Sequence, residues 1–142
     1  MIVLDTNVIS ELMRREPDAA VMAWIGEQPM AGVFTTTLTQ AEVFYGLALL
    51  SEGRRRDALM AAARPMFEAD LAGRVLPFDT DAAAAYPEIA AGRRKSGQPI
   101  SQIDAQIAAI VQSAPMAAAS TSFSAPLAAS IAVPASRSRN CG

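Results

Sequence analysis

The sequence predicts an α/β domain built on a parallel sheet, and three observations predict it. Short apolar or β-branched runs at residues 1–5, 32–36 and 73–79 read as strands. Each is followed by stretches whose apolar residues recur at helical spacing, the alternation expected of parallel strands joined by helical crossovers. The length of 142 residues suits one domain with a real core, and no internal repeat is visible.

Taken in order, Ile2, Val3 and Leu4 form an all-apolar run closed by Asp5, as a buried parallel strand does. Residues 6–15 follow as a helix, with Val8, Ile9, Leu12 and Met13 at its spacing. A second helix is expected over residues 17–25, with Ala20, Val21, Trp24 and Ile25 on its apolar side. The β-branched and aromatic residues 32–36 make the second strand. Thr39 is expected to open a helix carrying Val43, Phe44, Leu47 and Leu50, which Gly53 ends, and residues 54–67 read as another. In the third strand, residues 73–79, Pro77 restricts pairing. Residues 81–94 are helical, and Pro87 is expected to kink or break that helix. After a turn at Gly97, Gln98 and Pro99, residues 101–112 form the last helix.

From Ser113 the character changes. Residues 113–142 are dominated by Ala, Ser and Pro, hold no acid and keep no helical or strand period. Residues 130–133 are one candidate strand, and 134–142 read as disordered. The organisation is therefore a domain over residues 1–112 and an atypical segment over 113–142, with the C-terminal strands of the sheet missing or degenerate.

Composition narrows the chemistry. The hydrophobic fraction is 51%, much of it Ala, yet no window reaches the roughly 18 to 20 apolar residues that span a bilayer. The first residues meet an acid at position 5 and have no basic flank, so a signal peptide is not expected and a cytoplasmic location is. A single Cys141 excludes a disulfide framework and a cysteine-based metal site. The count of His is 0, which removes Ser-His-Asp and Cys-His nucleophiles, histidine acid–base chemistry and His-ligated zinc. With a net charge of −2, binding to nucleic acid requires a local basic patch.

Three carboxylates stand out. Asp5 closes the first strand, and Glu42 and Asp104 each lie three residues after a hydroxyl residue, Thr39 and Ser101. Open α/β sheets place ligands at the carboxyl edge of their strands, and hard cations take oxygen ligands. Glu42 lies between Ala41 and Val43, and Asp104 between Ile103 and Ala105. Partly buried carboxylates close to one another repel unless a cation neutralises them. The pattern points to a metal-dependent hydrolase of phosphate esters, with Mg²⁺ or Mn²⁺ as the suitable ion. A plainer reading stands beside it. Both [ST]-x-x-[DE] patterns match capping boxes, and Asp5 can cap a helix starting at Thr6. The readings are compatible, because a cap also fixes where its carboxylate points.

Asp5-Thr6-Asn7-Val8-Ile9-Ser10-Glu11, Thr39-Gln40-Ala41-Glu42-Val43-Phe44-Tyr45-Gly46, the strand from Gly73 to Asp79, and Asp104-Ala105-Gln106-Ile107-Ala108-Ala109-Ile110 occur in this order. Together they resemble the PIN-domain ribonucleases, above all the VapC-type toxins of bacterial toxin–antitoxin pairs, over about residues 1–112. The resemblance implies a three-layer α/β/α fold and hydrolysis of RNA phosphodiesters with Mg²⁺ held by Asp5, Glu42 and Asp104. It also implies a near-site contact from Thr6, an Asn7 that orients Asp5, a homodimer, and a VapB-like antitoxin as partner; no membrane contact is expected. Asp79 and Asp81 are assigned to helix capping rather than to the site.

The resemblance fails at the end of the chain. The family continues with a strand, a Thr-Arg-Asn or Thr-Arg-Asp stretch that supplies a fourth site residue, and a final Asn-Pro-Trp. Here residues 116–123 read Met-Ala-Ala-Ala-Ser-Thr-Ser-Phe, and only Ser120 or Ser122 stands near the fourth position. A shifted reading frame would produce such a loss of acids and pattern, so the expectation is a frameshifted C-terminus and, as the rival to an active nuclease, an inactive remnant that still binds an antitoxin or folds poorly. A metal-dependent phosphatase is a weaker third reading, because no nucleophile-Asp motif is present.

Two basic clusters remain. Arg93, Arg94 and Lys95 either steer an RNA backbone or complement the dipole at a helix C-terminus, and Arg54, Arg55 and Arg56 fit a solvated helix end. Phe44, Tyr45, Leu47, Leu49 and Leu50, with Met60, Met66 and Phe67, exceed what one helix face buries, which suggests a dimer or partner surface.

Overall fold

The computed structural model describes residues 1–115. Among these residues three parallel strands, β1 (Ile2–Val3), β2 (Val33–Thr36) and β3 (Val75–Leu76), lie in the order β1-β2-β3. Ile2 pairs with Val33 and Val3 with Phe34, while Thr35 pairs with Val75 and Thr36 with Leu76. Among the described residues six helices surround them: α1 (Thr6–Leu12), α2 (Ala19–Gly26), α3 (Thr37–Ala48), α4 (Arg54–Pro65), α5 (Thr80–Lys95) and α6 (Gln102–Ser113). Among the described residues no helix is long and apolar enough to cross a membrane.

The sheet separates two cores. Leu4, Val8, Ile9, Val33, Val43, Leu47, Ala63 and Phe67 form the larger, joining α1, α3 and α4 to one face, with Val21, Trp24 and Ile25 of α2 at its margin. Ala82, Ala109 and Ile110 form the smaller, with Leu38, Leu76, Phe78, Tyr86 and Ile89 against them. Val75 belongs to the first and its neighbour Leu76 to the second, since successive strand residues face opposite ways. The architecture is the three-layer α/β/α arrangement expected. β2, central and covered on both sides, is buried at all four positions, including Thr35 and Thr36.

The elements differ from expectation mainly at their ends. β1 stops at Val3, and α1 stops at Leu12 rather than Arg15. Asp18 lies outside α2 as its cap, accepting from Ala20 and Val21 N–H. Gly53, at φ 147, is the residue before α4 rather than the end of α3, which closes at Ala48. The helix after it passes into a π-helical turn, Met66–Asp70, following Pro65. Proline without an N–H breaks the regular ladder there, and the altered turn buries Phe67. Pro87 does not break α5, which runs unbroken from Thr80 to Lys95. Pro87 itself is exposed, while Ala82, Ala85, Tyr86 and Ile89 hold both halves of α5 against the second core. The candidate strand at 130–133, the expected disorder of 134–142, and Ser120 and Ser122 lie outside the described residues.

Candidate functional site

The carboxyl edge of the sheet carries the first two acids. Leu4 N–H donates to the Phe34 carbonyl at 2.8 Å, extending the β1–β2 ladder one residue further. The chain then turns directly into α1. Asp5 is the N-cap, and its Oδ1 accepts from Val8 N–H at 2.9 Å. The capping role expected of Asp5 is present. Thr6, the first helical residue, donates its hydroxyl to Glu42 Oε2 at 2.6 Å, joining α1 to α3 across 36 positions of sequence. Hydrogen bonds from hydroxyl to carboxylate at this length are among the strong ones.

Glu42 is free to take that bond because the box expected between Thr39 and Glu42 does not form. Thr36, not Thr39, caps α3: its Oγ1 accepts from Thr39 N–H at 3.1 Å. Thr39 is buried inside the helix, its hydroxyl 3.1 Å from that of Thr36. The pairing of Thr36 with Leu76 keeps the backbone extended up to that residue, so the helix begins immediately after it. Glu42 thus lies one turn further along α3 than a box would place it.

Ser101 caps α6 as expected, but the Asp104 carboxylate bonds the Ser101 hydroxyl rather than the backbone N–H that a capping box uses. Ser101 Oγ accepts from Asp104 N–H at 3.0 Å and donates to Asp104 Oδ2 at 2.6 Å. Ala105 beside it is buried, and the C-terminal half of α6 packs through Ala109 and Ile110 against Ala82 of α5.

Thr6 and Glu42 are therefore in contact, with Asp5 next in the chain, whereas Asp104 stands on a separate helix. Among the described residues no three acids, histidines or cysteines stand together closely enough to hold one ion. Glu42 is half-buried, but Asp5 and Asp104 are exposed, so the expected set of partly buried acids reduces to one. The donor chemistry nevertheless fits a hard divalent cation. Each carboxylate commits one oxygen to the fold, and Asp5 Oδ2, Glu42 Oε1 and Asp104 Oδ1 accept no hydrogen bond among the described residues. Asn7 is exposed and makes no side-chain hydrogen bond to Asp5 among the described residues. Asp79 caps α5, accepting from Asp81 and Ala82 N–H, and Asp81 lies in the first turn of that helix.

Arg93, Arg94 and Lys95 occupy the last turn of α5, where positive charge complements the helix dipole. Arg93 is half-buried and donates to Gln98 Oε1 at 3.2 Å. Of the apolar surplus, Leu47 and Phe67 are core, and Phe44, Leu50, Met60 and Met66 pack at its margin. Tyr45 and Leu49, one turn apart, remain 67% and 68% exposed. Thr35 was not singled out by spacing or charge. It is fully buried, and its hydroxyl donates to the Leu4 carbonyl at 2.9 Å, directly before Asp5. The sequence clue was the density of hydroxyls at Thr35, Thr36, Thr37 and Thr39.

The PIN domain family profile matches residues 2–122. The VapC ribonuclease Y4jK of Sinorhizobium fredii is 46% identical over 109 residues, 77% of this chain and 78% of its own. Toxin FitB of Neisseria gonorrhoeae is 35% identical over 133 residues, 94% of this chain and 96% of its own. A solved structure of FitAB bound to an IR36 DNA fragment superposes with a TM-score of 0.73 at 38% identity, covering 79% of this chain and 78% of that one. By this match, and by the α/β/α frame that brings Asp5, Thr6 and Glu42 to one edge of the sheet, the chain belongs to the PIN-domain family.

Proposed function

We propose that this chain is the toxin of a toxin–antitoxin pair and a Mg²⁺-dependent endoribonuclease. Among its relatives are a VapC ribonuclease and a FitB toxin, which supports the reading at the level of the family. The observation that carries it to residues is the 2.6 Å bond from Thr6 to Glu42 beside Asp5, at the edge of the sheet where such folds bind ligands.

Asp5, Glu42 and Asp104 would hold Mg²⁺, with Mn²⁺ an alternative. Bound there, the ion would lower the pKa of a water and offset charge on an RNA phosphodiester. The chain's own residues do the rest. Thr6 fixes the rotamer of Glu42, and the start of α1 fixes Asp5 through Val8 N–H. The Ser101 hydroxyl fixes Asp104. Arg93, Arg94 and Lys95 would attract the RNA backbone without reading its sequence. The exposed pair Tyr45 and Leu49 suits a protein partner, for which a VapB-like antitoxin and a second copy of the chain are the proposals. A cytoplasmic location, where RNA is available, goes with this reading.

The test is cleavage of a mixed structured RNA by purified protein, with Mg²⁺ or EDTA, beside an Asp5→Asn control. Cleavage that requires metal and disappears in the control is the expected result; metal-independent cleavage, or an active control, refutes it. A second reading, an inactive remnant that retains only antitoxin binding or folds poorly, is favoured by one observation: no acid occurs in the sequence after Asp104. Soluble, folded protein with no cleavage supports that reading. For the frameshift proposed at about residue 113, the encoding DNA should restore a Thr-Arg-Asn or Thr-Arg-Asp stretch and an Asn-Pro-Trp ending in another frame; if neither appears, the idea fails.

A further inference from the structure

We propose that Thr35 is a positioning residue for the acidic site, holding the Leu4–Asp5 peptide in place from beneath; the inference rests on the reading of Asp5 as a metal ligand. Its hydroxyl donates to the Leu4 carbonyl at 2.9 Å, while Leu4 N–H donates to the Phe34 carbonyl at 2.8 Å. Leu4 is thus gripped at both its polar groups by β2. Because the Leu4–Asp5 peptide is planar, fixing that carbonyl also fixes the direction in which the Asp5 backbone leaves the strand. The Asp5 side chain, tied to Val8 N–H, follows.

The neighbouring threonines act in the same manner on other elements. Thr36 caps α3, the helix that carries Glu42. Thr37 Oγ1 accepts from Phe78 N–H at 3.3 Å, one residue before Asp79. Three consecutive hydroxyls therefore each hold one of the three segments at the carboxyl edge. Thr35 is the one that reaches β1, and no water competes for it, since it is fully buried.

A buried threonine needs a partner for its hydroxyl wherever it sits, so the bond alone is compatible with a purely structural role. Mn²⁺ binding to the full chain separates the two. Free Mn²⁺ is followed by electron paramagnetic resonance in wild type, Thr35→Val, Thr35→Ser and Asp5→Asn, with a thermal melt of each. Residues that orient metal ligands typically change affinity about 10- to 100-fold when removed, and Thr35→Val should weaken Mn²⁺ binding by that factor. Thr35→Ser, which keeps the hydroxyl, should restore it.

A folded Thr35→Val that binds as wild type does overturns the proposal, as does equal weakening in Thr35→Val and Thr35→Ser, which would point to the methyl group. If Thr35→Val loses its cooperative melt, Thr35→Ser and Thr35→Ala are compared instead, since they differ only in the hydroxyl; equal affinities again overturn it. Failure of the underlying reading looks different: wild type binds no Mn²⁺, or Asp5→Asn binds it equally well.

Discussion

Thr6→Val removes the hydroxyl between α1 and α3 while keeping the side chain's shape. The bond it removes is 2.6 Å long and ends on a carboxylate. Hydrogen bonds to charged groups contribute about 1.5–3 kcal/mol. Glu42 is half-buried, so water can replace part of the lost bond, and the cost falls at the lower end, about 1–2 kcal/mol. For a domain of this size that corresponds to a fall in Tm of about 3–10 °C. Thr6→Ser keeps the donor and should stay within about 0.5 kcal/mol of wild type. A double-mutant cycle of Thr6→Val with Glu42→Met, read by urea and thermal unfolding, isolates the pair, because methionine matches the length of glutamate without its acceptors. The expected coupling is about 1 kcal/mol or more. Additivity within about 0.3 kcal/mol would show that the two side chains do not interact in solution, and the link between α1 and α3 would fall with it.

Ile9 is fully buried in the larger core beneath Asp5, so Ile9→Ala should cost about 2–5 kcal/mol in chemical unfolding; a loss under about 1 kcal/mol would place it elsewhere. Ser101→Ala removes both bonds between the Ser101 hydroxyl and Asp104 and should cost about 1 kcal/mol, with α6 amides exchanging faster by hydrogen exchange. Glu11 has its carboxyl held below the ordinary value of 4.5, first by the Asp18 N–H and then by Arg14. A lowered folded pKa contributes stability that is present above 4.5 and is lost as pH falls through the folded value. The stability advantage of wild type over Glu11→Gln should therefore shrink on acidification below 4.5, and a difference that stays constant there would contradict the assignment.

The alternation of strands and helices was legible because the buried strands are short and apolar while the helices keep their spacing, as in Val8, Ile9 and Leu12. Capping at Asp5 and Ser101 could be read for the same local reason: each needs only neighbours within three residues. The start of α3 could not. Thr35, Thr36, Thr37 and Thr39 can all cap, and what selects Thr36 is its pairing with Leu76, forty residues away by chain. Glu42's partner is equally remote, so local spacing suggested a box with Thr39 where the fold supplies Thr6. Pro87 misled because its effect depends on what holds the helix on either side, here the contacts of Ala82 and Ile89 with the second core. Nothing in the sequence marks Thr35 out from the threonines beside it, because a buried threonine in a strand carries no charge and no motif.

Asp5, Glu42 and Asp104 are proposed to serve one site, although Asp104 stands on its own helix beside the Ser101 cap. The decisive comparison is Mg²⁺-dependent RNA cleavage by wild type, Asp5→Asn, Glu42→Gln and Asp104→Asn in parallel, each checked by its thermal melt. If the three acids serve one site, all three variants keep a cooperative melt and lose cleavage. An Asp104→Asn protein that cleaves as wild type does would contradict it, leaving Asp104 as the partner of the Ser101 cap and nothing more.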